Sequence, residues 1–162
     1  MLSAISRFSL DYGAKASAKL LANLSGLVAN GDFLWTVSDE GRSFECLRST
    51  GDEFILDKQF LVDDLVHSFP GAPSPQDPEG AELDLEAIDF YDGHLWLCGS
   101  HCNVRKKAKR KDELNAEIRA RPSRNFLARI AVESAGASLG QVTVAPFDGP
   151  DLSEKRCRVI RI

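Results

Sequence analysis

The sequence predicts an all-β fold built from two four-stranded antiparallel units, and two observations support this prediction. A shift of 61 residues aligns Leu34-Trp35-Thr36-Val37 with Leu95-Trp96-Leu97-Cys98, so both tryptophans of the chain fall in register. Each copy also has two short apolar runs separated by a turn dipeptide, Asn30-Gly31 in the first and Asp92-Gly93 in the second. Such dipeptides supply the positive φ angles that tight hairpin turns require, so each copy is expected to begin with a β-hairpin.

Unit one is predicted to span about residues 24–66. Its hairpin is followed by two further strand-like runs, Phe44–Ser49 and Phe54–Val62, which are separated by a turn at Thr50-Gly51-Asp52. The two hairpin turns differ by one position under the 61-residue shift, which predicts a bulge or a longer loop in one of the copies.

Unit two is predicted to span about residues 84–147, with an insertion at 103–123. Its last two strands are expected within 125–132 and 138–147. The insertion is basic and is predicted to be helical, with Glu113 and Glu117 one helical turn apart and Pro122 marking its end. The proline-rich stretch 69–78 is expected to be an extended connection between the units.

Repeated four-stranded units with a tryptophan on the second strand are typical of β-propeller blades, while a plain antiparallel sandwich with two similar hairpins is the alternative. Propellers close with about four to eight blades, so two units predict a partial propeller, that is, a fragment. Residues 152–162 alternate polar and apolar side chains and are interpreted as an incomplete third unit. Unpaired blade edges would favour self-association.

The composition is that of a soluble globular protein, with 43% hydrophobic and 27% charged residues in 162. We find neither a leader pattern nor an apolar run long enough to span a bilayer, so no membrane contact and a cytoplasmic location are expected. The four cysteines are accordingly expected to be reduced thiols.

Charge is divided unevenly along the chain. Residues 52–92 hold 12 acidic residues and one lysine, while residues 105–124 hold nine basic and three acidic residues. The two segments could face each other or be separate solvated faces. The second segment is a candidate for anion binding, through Arg105, Lys106, Lys107, Lys109 and Arg110. Because no aromatic residue lies within 105–124 to stack on bases, a nucleic acid is not predicted as the partner.

A candidate ligand face is predicted where the hairpins open. Pairing around Asp92-Gly93 would place Glu86 opposite Gly99, near Ser100 and His101. The equivalent end of unit one carries Asp39 and Glu40. Clustered carboxylates suit calcium, but we favour the alternative that they bond backbone amides, because two units supply few oxygen ligands. No metal site is therefore predicted, and calcium remains the cofactor to test.

No complete catalytic motif is found. Ser100 and His101 are adjacent, so their side chains would point to opposite faces, and no nucleophile elbow accompanies them. The spacing of Cys98, His101 and Cys102 lacks the second ligand pair of a structural zinc site.

Several short segments together resemble the bacterial family known as domain of unknown function 3616, over nearly the whole chain. The residues that carry the resemblance are Leu24–Leu27, Leu34–Glu40, Asp84–Ala87, Leu95–His101 and Arg105–Lys107. The resemblance implies a propeller-like fold, similar in a broad sense to phytase-like propellers, some of which hold calcium. Ala87 replaces a glycine of the family's pattern, which puts a metal role in doubt.

These observations favour a non-catalytic binding or interaction module. The alternative is that the chain forms part of a calcium-dependent phosphoesterase-like or esterase-like propeller.

Overall fold

A computed structural model describes residues 7–14, 16–65, 82–105, 116–133 and 138–144. The strands within these ranges are β1 (Ser9–Asp11), β2 (Leu24–Asn30), β3 (Phe33–Ser38), β4 (Ser43–Ser49), β5 (Glu53–Leu61), β6 (Leu85–Tyr91), β7 (His94–Gly99), β8 (Val104–Arg105), β9 (Ile118–Arg119), β10 (Leu127–Val132) and β11 (Leu139–Val144). The helices are α1 (Ala18–Ala22), α2 (Val62–Leu65) and a 3₁₀ helix (Pro122–Arg124).

The strands form two main sheets, one for each predicted unit. Unit one has the order β1-β5-β4-β3-β2 and unit two the order β11-β10-β7-β6. All neighbouring strands in these sheets are antiparallel except β1, which pairs parallel to β5. The predicted all-β, partial propeller-like fold of two antiparallel four-stranded units is therefore confirmed, and β1 adds an unpredicted fifth strand to unit one.

The turns of the two hairpins match in position under the 61-residue shift more closely than the sequence suggested. The loop of the first is Gly31-Asp32 rather than Asn30-Gly31, because Asn30 pairs with Phe33 as the last residue of β2. Gly31 has a φ of +59°, and Asp92 and Gly93 have φ angles of +49° and +72°. The expected offset of one position between the turns is wrong, since Gly31-Asp32 and Asp92-Gly93 are 61 residues apart.

A register irregularity occurs at the same place in both hairpins, which is a second point of agreement. Pairing shifts between Leu24 and Gly26 in the first hairpin and between Leu85 and Ala87 in the second. A bulge therefore occurs in both copies rather than in one, at Ser25 and at its counterpart Glu86.

The hydrophobic core lies between the two sheets. Trp35 and Val37 of β3 belong to the same buried cluster as Leu95 and Leu97 of β7, and all four are fully buried. Burial of each such side chain contributes about 1.5–3 kcal/mol, so this face-to-face packing is the main attraction between the units.

The first strands of the two units, β2 and β6, lie side by side at the inner edge of this core. The Ser25 hydroxyl donates a hydrogen bond of 2.5 Å to the Leu85 carbonyl. A Cβ atom added at Gly26 would lie 3.2 Å from the Ile88 amide nitrogen. Gly26 therefore permits an approach of the two strands that a larger residue would hinder.

The N-terminal segment covers the other face of unit one. Tyr12 and Leu20 pack there against Leu34 and Leu47. The Tyr12 hydroxyl donates to Thr36 Oγ1 at 2.9 Å. Helix α1 is short and is capped by Ser17, whose hydroxyl accepts a hydrogen bond from the Leu20 amide at 3.0 Å.

The described ends of the insertion are not helical, so the prediction of a helix is wrong for these residues. Strands β8 and β9 pair with each other, and residues 116–121 contain no helix. Pro122 begins the 3₁₀ helix instead of ending an α-helix, because its fixed φ and missing amide hydrogen suit a first helical position. The remainder of the insertion (106–115), the proline-rich connection 69–78 and the predicted third unit 152–162 lie outside the described residues. Among the helices of the described ranges, none has the length and apolar character needed to cross a membrane.

Candidate functional site

Charged side chains from both units meet at one end of the interface between the two sheets, which we call the seam. At this end β3 and β7 end and β6 begins. We call these side chains the seam cluster, which consists of Lys19, Asp39, Glu40, Glu82, Asp84 and Arg124. These side chains come together because the strand and helix ends that carry them lie at this end of the seam. Asp39 and Glu40 follow β3, Glu82 and Asp84 precede β6, Lys19 comes from α1, and Arg124 ends the 3₁₀ helix of the insertion.

Lys19 joins the two units across the seam. Its ammonium group forms an ion pair with Glu40 of unit one and lies 3.4 Å from Glu82 Oε1 of unit two. The hydrogen bond to Lys19 is the main reason that the pKa of Glu40 lies below its ordinary value. Burial, followed by the charge of Glu40, raises the pKa of Glu82. At neutral pH the lysine therefore offsets part of the repulsion between these two carboxylates.

Arg124 neutralises the unit-two side of the cluster. Its Nη1 lies 2.5 Å from Asp84 Oδ2 and its Nη2 lies 3.7 Å from Glu82 Oε2. The side chains of Arg124 and Asp84 are only 15% and 14% exposed, so this pair is shielded from most of the screening that weakens surface ion pairs.

The backbone holds Arg124 in place beside β7. The amide of Gly99 donates to the Phe126 carbonyl at 2.8 Å, and the amide of His101 donates to the Arg124 carbonyl at 3.1 Å. A Cβ atom at Gly99 would lie 2.4 Å from the Arg124 carbonyl oxygen, so only glycine fits at this position. His101 and Asp84 both have left-handed backbone conformations, with φ angles of +53° and +51°. Non-glycine residues seldom adopt this region, and functional sites often contain such strain.

Asp39 is the least compensated carboxylate of the cluster. Its Oδ1 is buried and accepts no hydrogen bond from any residue that the structure describes. Burial raises the pKa of Asp39, and the nearby charges of Glu40 and Asp84 raise it further. A cationic group placed beside this oxygen would therefore gain an unshared charge interaction.

The structure brings together only part of the predicted ligand face. Asp39 and Glu40 lie in the seam cluster, and Ser100 lies beside it, with its backbone amide bonded to the Asp84 carbonyl at 2.9 Å. His101 is exposed. Glu86 is exposed within the bulge, and the prediction that it stands opposite Gly99 is wrong because Leu85 occupies that register position.

Sequence reasoning missed four members of the cluster: Lys19, Glu82, Asp84 and Arg124. Asp84 immediately precedes β6, in the segment that carries the family resemblance, which was an available signal. Lys19 and Arg124 come from a short helix and from the end of an insertion, and neither belongs to the repeat. A comparison of the two copies therefore could not place them.

Of the five candidate anion-binding residues, the structure describes only Arg105. Arg105 is the last residue of β8 and is exposed. Lys106, Lys107, Lys109 and Arg110 lie outside the described residues, so anion binding by this segment stays a prediction.

Metal ligation has limited geometric support. Among the described residues, no group of three or more His, Cys, Asp or Glu side chains is arranged to hold a metal ion. The Cys102 sulfur lies 3.1 Å from Ser100 Oγ and accepts from Arg124 Nη1 at 3.4 Å, contacts that hold the thiol within a polar hydrogen-bonded loop.

Comparisons with known proteins give one match. Neither the curated proteins nor the solved structures contain a significant relative of this chain. A family model described as "Protein of unknown function (DUF3616)" matches residues 23–149, a range that includes both units and every seam-cluster residue except Lys19. This match covers most of the chain and agrees with the resemblance of its repeat segments, so the chain belongs to the DUF3616 family.

Proposed function

We propose that this chain is a non-catalytic binding module and that its contact surface is the seam cluster, with a cationic group as the ligand. The observation that carries the proposal is the buried Asp39 Oδ1, which has no hydrogen-bond partner among the described residues. A lysine or arginine side chain of a partner protein that binds beside the carboxylates of the cluster would supply a compensating charge for Asp39.

The charge balance of the cluster supports the same ligand class. Four carboxylates from two units share two described cations, Lys19 and Arg124, and both cations already bond Glu82. Burial is the main cause of the raised pKa of Asp39, and the negative charges of Glu40 and Asp84 raise it further. Binding of a cation would lower that pKa again, so affinity should fall as the pH drops and Asp39 becomes protonated.

The test is an NMR titration of the full chain with a short lysine-rich peptide at low salt. We expect saturable amide shifts at Asp39, Glu40 and Ser100, weakened by added salt. Asp39→Asn should reduce the affinity several-fold. The matched control is Asp52→Asn, in the exposed β4–β5 turn at the opposite end of unit one. Equal losses in both variants, or shifts spread over the whole acidic surface, would contradict the proposal.

Calcium is the competing ligand, because clustered carboxylates are also its preferred donors. A calcium site would favour the alternative of a phosphoesterase-like or esterase-like propeller. We expect calcium to leave the melting temperature of the chain nearly unchanged. A calcium-dependent rise that Asp39→Asn or Glu86→Gln abolishes would support the alternative instead, because a ligand that binds only the native state stabilises it.

A further inference from the structure

A side chain from outside the two units already contacts the carboxylates of the seam cluster. Lys19 belongs to α1, which precedes unit one. Its ammonium group pairs with Glu40 of unit one and lies 3.4 Å from Glu82 Oε1 of unit two. These are the charge-assisted contacts that a cationic ligand would make at the same place. The chain therefore carries its own cation at the surface proposed for a partner's cation.

The backbone of Lys19 is fixed beside the cluster. Its carbonyl accepts a hydrogen bond from the Asn23 side chain at 2.8 Å, and the Asn23 carbonyl accepts one from the Asp39 amide at 3.2 Å. The buried Leu20 side chain anchors α1 in the apolar layer that covers unit one. These contacts do not involve the ammonium group, so the backbone of Lys19 stays close to Asp39 whether or not that group is bound.

The ammonium group of Lys19 is held less firmly than its backbone. The Lys19 side chain is 60% exposed, whereas that of Arg124 is 15% exposed. Exposed ion pairs contribute little to stability, and the long stem of a lysine lets its ammonium group move independently of the helix. Of these two cations, Lys19 is therefore the one that can leave the cluster while the fold stays intact.

A partner's cation beside Asp39 would compete with Lys19. Burial and the charges of Glu40 and Asp84 raise the pKa of Asp39, and the Lys19 charge partly opposes this rise, so Lys19 lies within electrostatic reach of Asp39. Two cations in this space would repel each other. The incoming cation would also gain the interactions with Glu40 and Glu82 once Lys19 had released them.

We propose that Lys19 makes an autoinhibitory contact: its ammonium group occupies the seam cluster in the free chain and is displaced when a basic segment of a partner protein binds. This inference rests on the function proposed above and adds a regulation to the same site. A single partner cation would only replace Lys19 and gain little. Binding is therefore expected to favour a segment with two or more neighbouring cations, one replacing Lys19 and another lying beside Asp39.

Titration of the full chain with a short lysine-rich peptide at low salt tests the inference by comparing the wild type with Lys19→Met. Methionine has a helix propensity close to that of lysine but carries no charge. We expect Lys19→Met to bind the peptide about three- to fivefold more tightly, as removal of one competing exposed ion pair predicts. The matched control is Lys58→Met, which removes the charge of an exposed lysine of β5 and should change the affinity much less.

A second measurement follows Lys19 in the wild-type chain and does not depend on a substitution. With ¹³C labelling, the Lys19 Cε–Hε signal should move toward its random-coil position as peptide is added, with the same midpoint as the shift of the Asp39 amide.

The outcomes separate this inference from the function on which it rests. If the peptide binds the wild type and Lys19→Met binds it no more tightly, or if Lys58→Met gains as much, the autoinhibitory contact is overturned and the binding function stands. A Lys19 signal that stays in place while the Asp39 amide shifts would have the same meaning. If neither the wild type nor Lys19→Met binds the peptide, the proposed function is wrong and the inference fails with it.

Discussion

The two units share a hairpin design but differ in how many of their faces are covered. In both, a bulge at the start of the first strand and a two-residue turn fall at the same positions of the repeat. Unit one is covered on one face by unit two and on the other by Tyr12 and Leu20. Within the described ranges, unit two buries only the face with Leu95 and Leu97.

This difference shows which parts of the repeat depend on a neighbour. The hairpin forms from local pairing, and therefore both copies have it. Burial of the tryptophan depends on the next unit, and therefore only Trp35 is fully buried. The seam cluster likewise depends on both units, because its carboxylates come from the loops of each.

The largest expected effect comes from removing the two tryptophans separately. Trp35→Ala should lower the free energy of unfolding by about 3–5 kcal/mol, because it leaves a cavity in the inter-sheet core. Trp96→Ala should cost about 1–2 kcal/mol, since that side chain is half-buried. Urea denaturation followed by circular dichroism measures both losses. Equal costs would contradict the different environments of the two faces.

The next largest losses of stability are expected from substitution of Gly99 and Gly26, two closely packed glycines in different hairpins. Gly99→Ala would place a Cβ atom against the carbonyl oxygens of Arg124 and Leu83, at 2.4 and 2.8 Å, so we expect a loss of about 2–3 kcal/mol. Gly26→Ala meets Val37 Cγ2 at 3.1 Å and should cost about 1 kcal/mol. The residue equivalent to Gly99 in unit one is Ser38, whose substitution by alanine serves as the control. A smaller loss for Gly99→Ala than for Gly26→Ala would refute the proposed close packing at β7.

The seam cluster should respond unequally to loss of its two cations. Arg124→Met removes the shielded partner of Asp84 and should cost about 2 kcal/mol, reduced by 1 M salt less than a surface pair would be. Lys19→Met removes a lysine whose side chain is 60% exposed, and its effect should be smaller and nearly abolished by salt. Thermal melts at low and high salt distinguish the two. A larger effect at Lys19 would mean that the N-terminal helix, rather than the insertion, secures the seam.

The smallest effect concerns a polar pair that unit one has and unit two lacks. Thr36 and Glu45 are paired and buried in unit one, where unit two has Leu97 and Ala128. Thr36 Oγ1 donates to Glu45 Oε2 at 3.4 Å, and Ser43 donates to Oε1 at 2.8 Å. Burial raises the pKa of Glu45 above its ordinary value of 4.5.

A raised pKa means that the folded chain binds this proton more tightly than the unfolded chain. The resulting stabilisation is present below pH 4.5 and is lost as the pH rises through the folded-state pKa. Glu45→Gln keeps the site neutral, so it should raise the melting temperature at pH 7 by a few degrees and flatten its dependence on pH above 4.5. The exposed Asp52→Asn is the control. A lower melting temperature for Glu45→Gln at pH 7 would show that the ionised carboxylate is needed.

Periodicity and turn composition were sufficient to predict the two units. The repeat of Trp35 and Trp96 and the turns near Gly31 and Gly93 placed eight of the strands, because alternation and turn chemistry are local properties of a sequence. The strand β1 was missed, since three residues carry no period. The insertion was interpreted as helical from local features, its charge spacing and Pro122, whereas the pairing of Val104 with Arg119 is a long-range contact that local features do not encode.

The candidate site was predicted only where it belongs to the repeat. Asp39 and Glu40 follow directly from the end of β3, so the hairpin located them. Glu86 was misplaced because the bulge shifts the pairing by one residue, which reverses the direction of a side chain. Lys19 and Arg124 reach the cluster through tertiary packing that a comparison of two copies does not show.

The packing of β2 against β6 is the claim on which the arrangement of the two units depends, and one NMR measurement tests it directly. Gly26 approaches the Ile88 amide closely enough that an added Cβ atom would lie 3.2 Å from its nitrogen. A nuclear Overhauser spectrum of the full chain should therefore contain a strong cross-peak between the Gly26 α-protons and the Ile88 amide proton. Its presence would establish that the two units lie side by side at this edge. Its absence, in a spectrum that shows the cross-strand contacts within each hairpin, would mean that the units fold separately and that the seam does not exist.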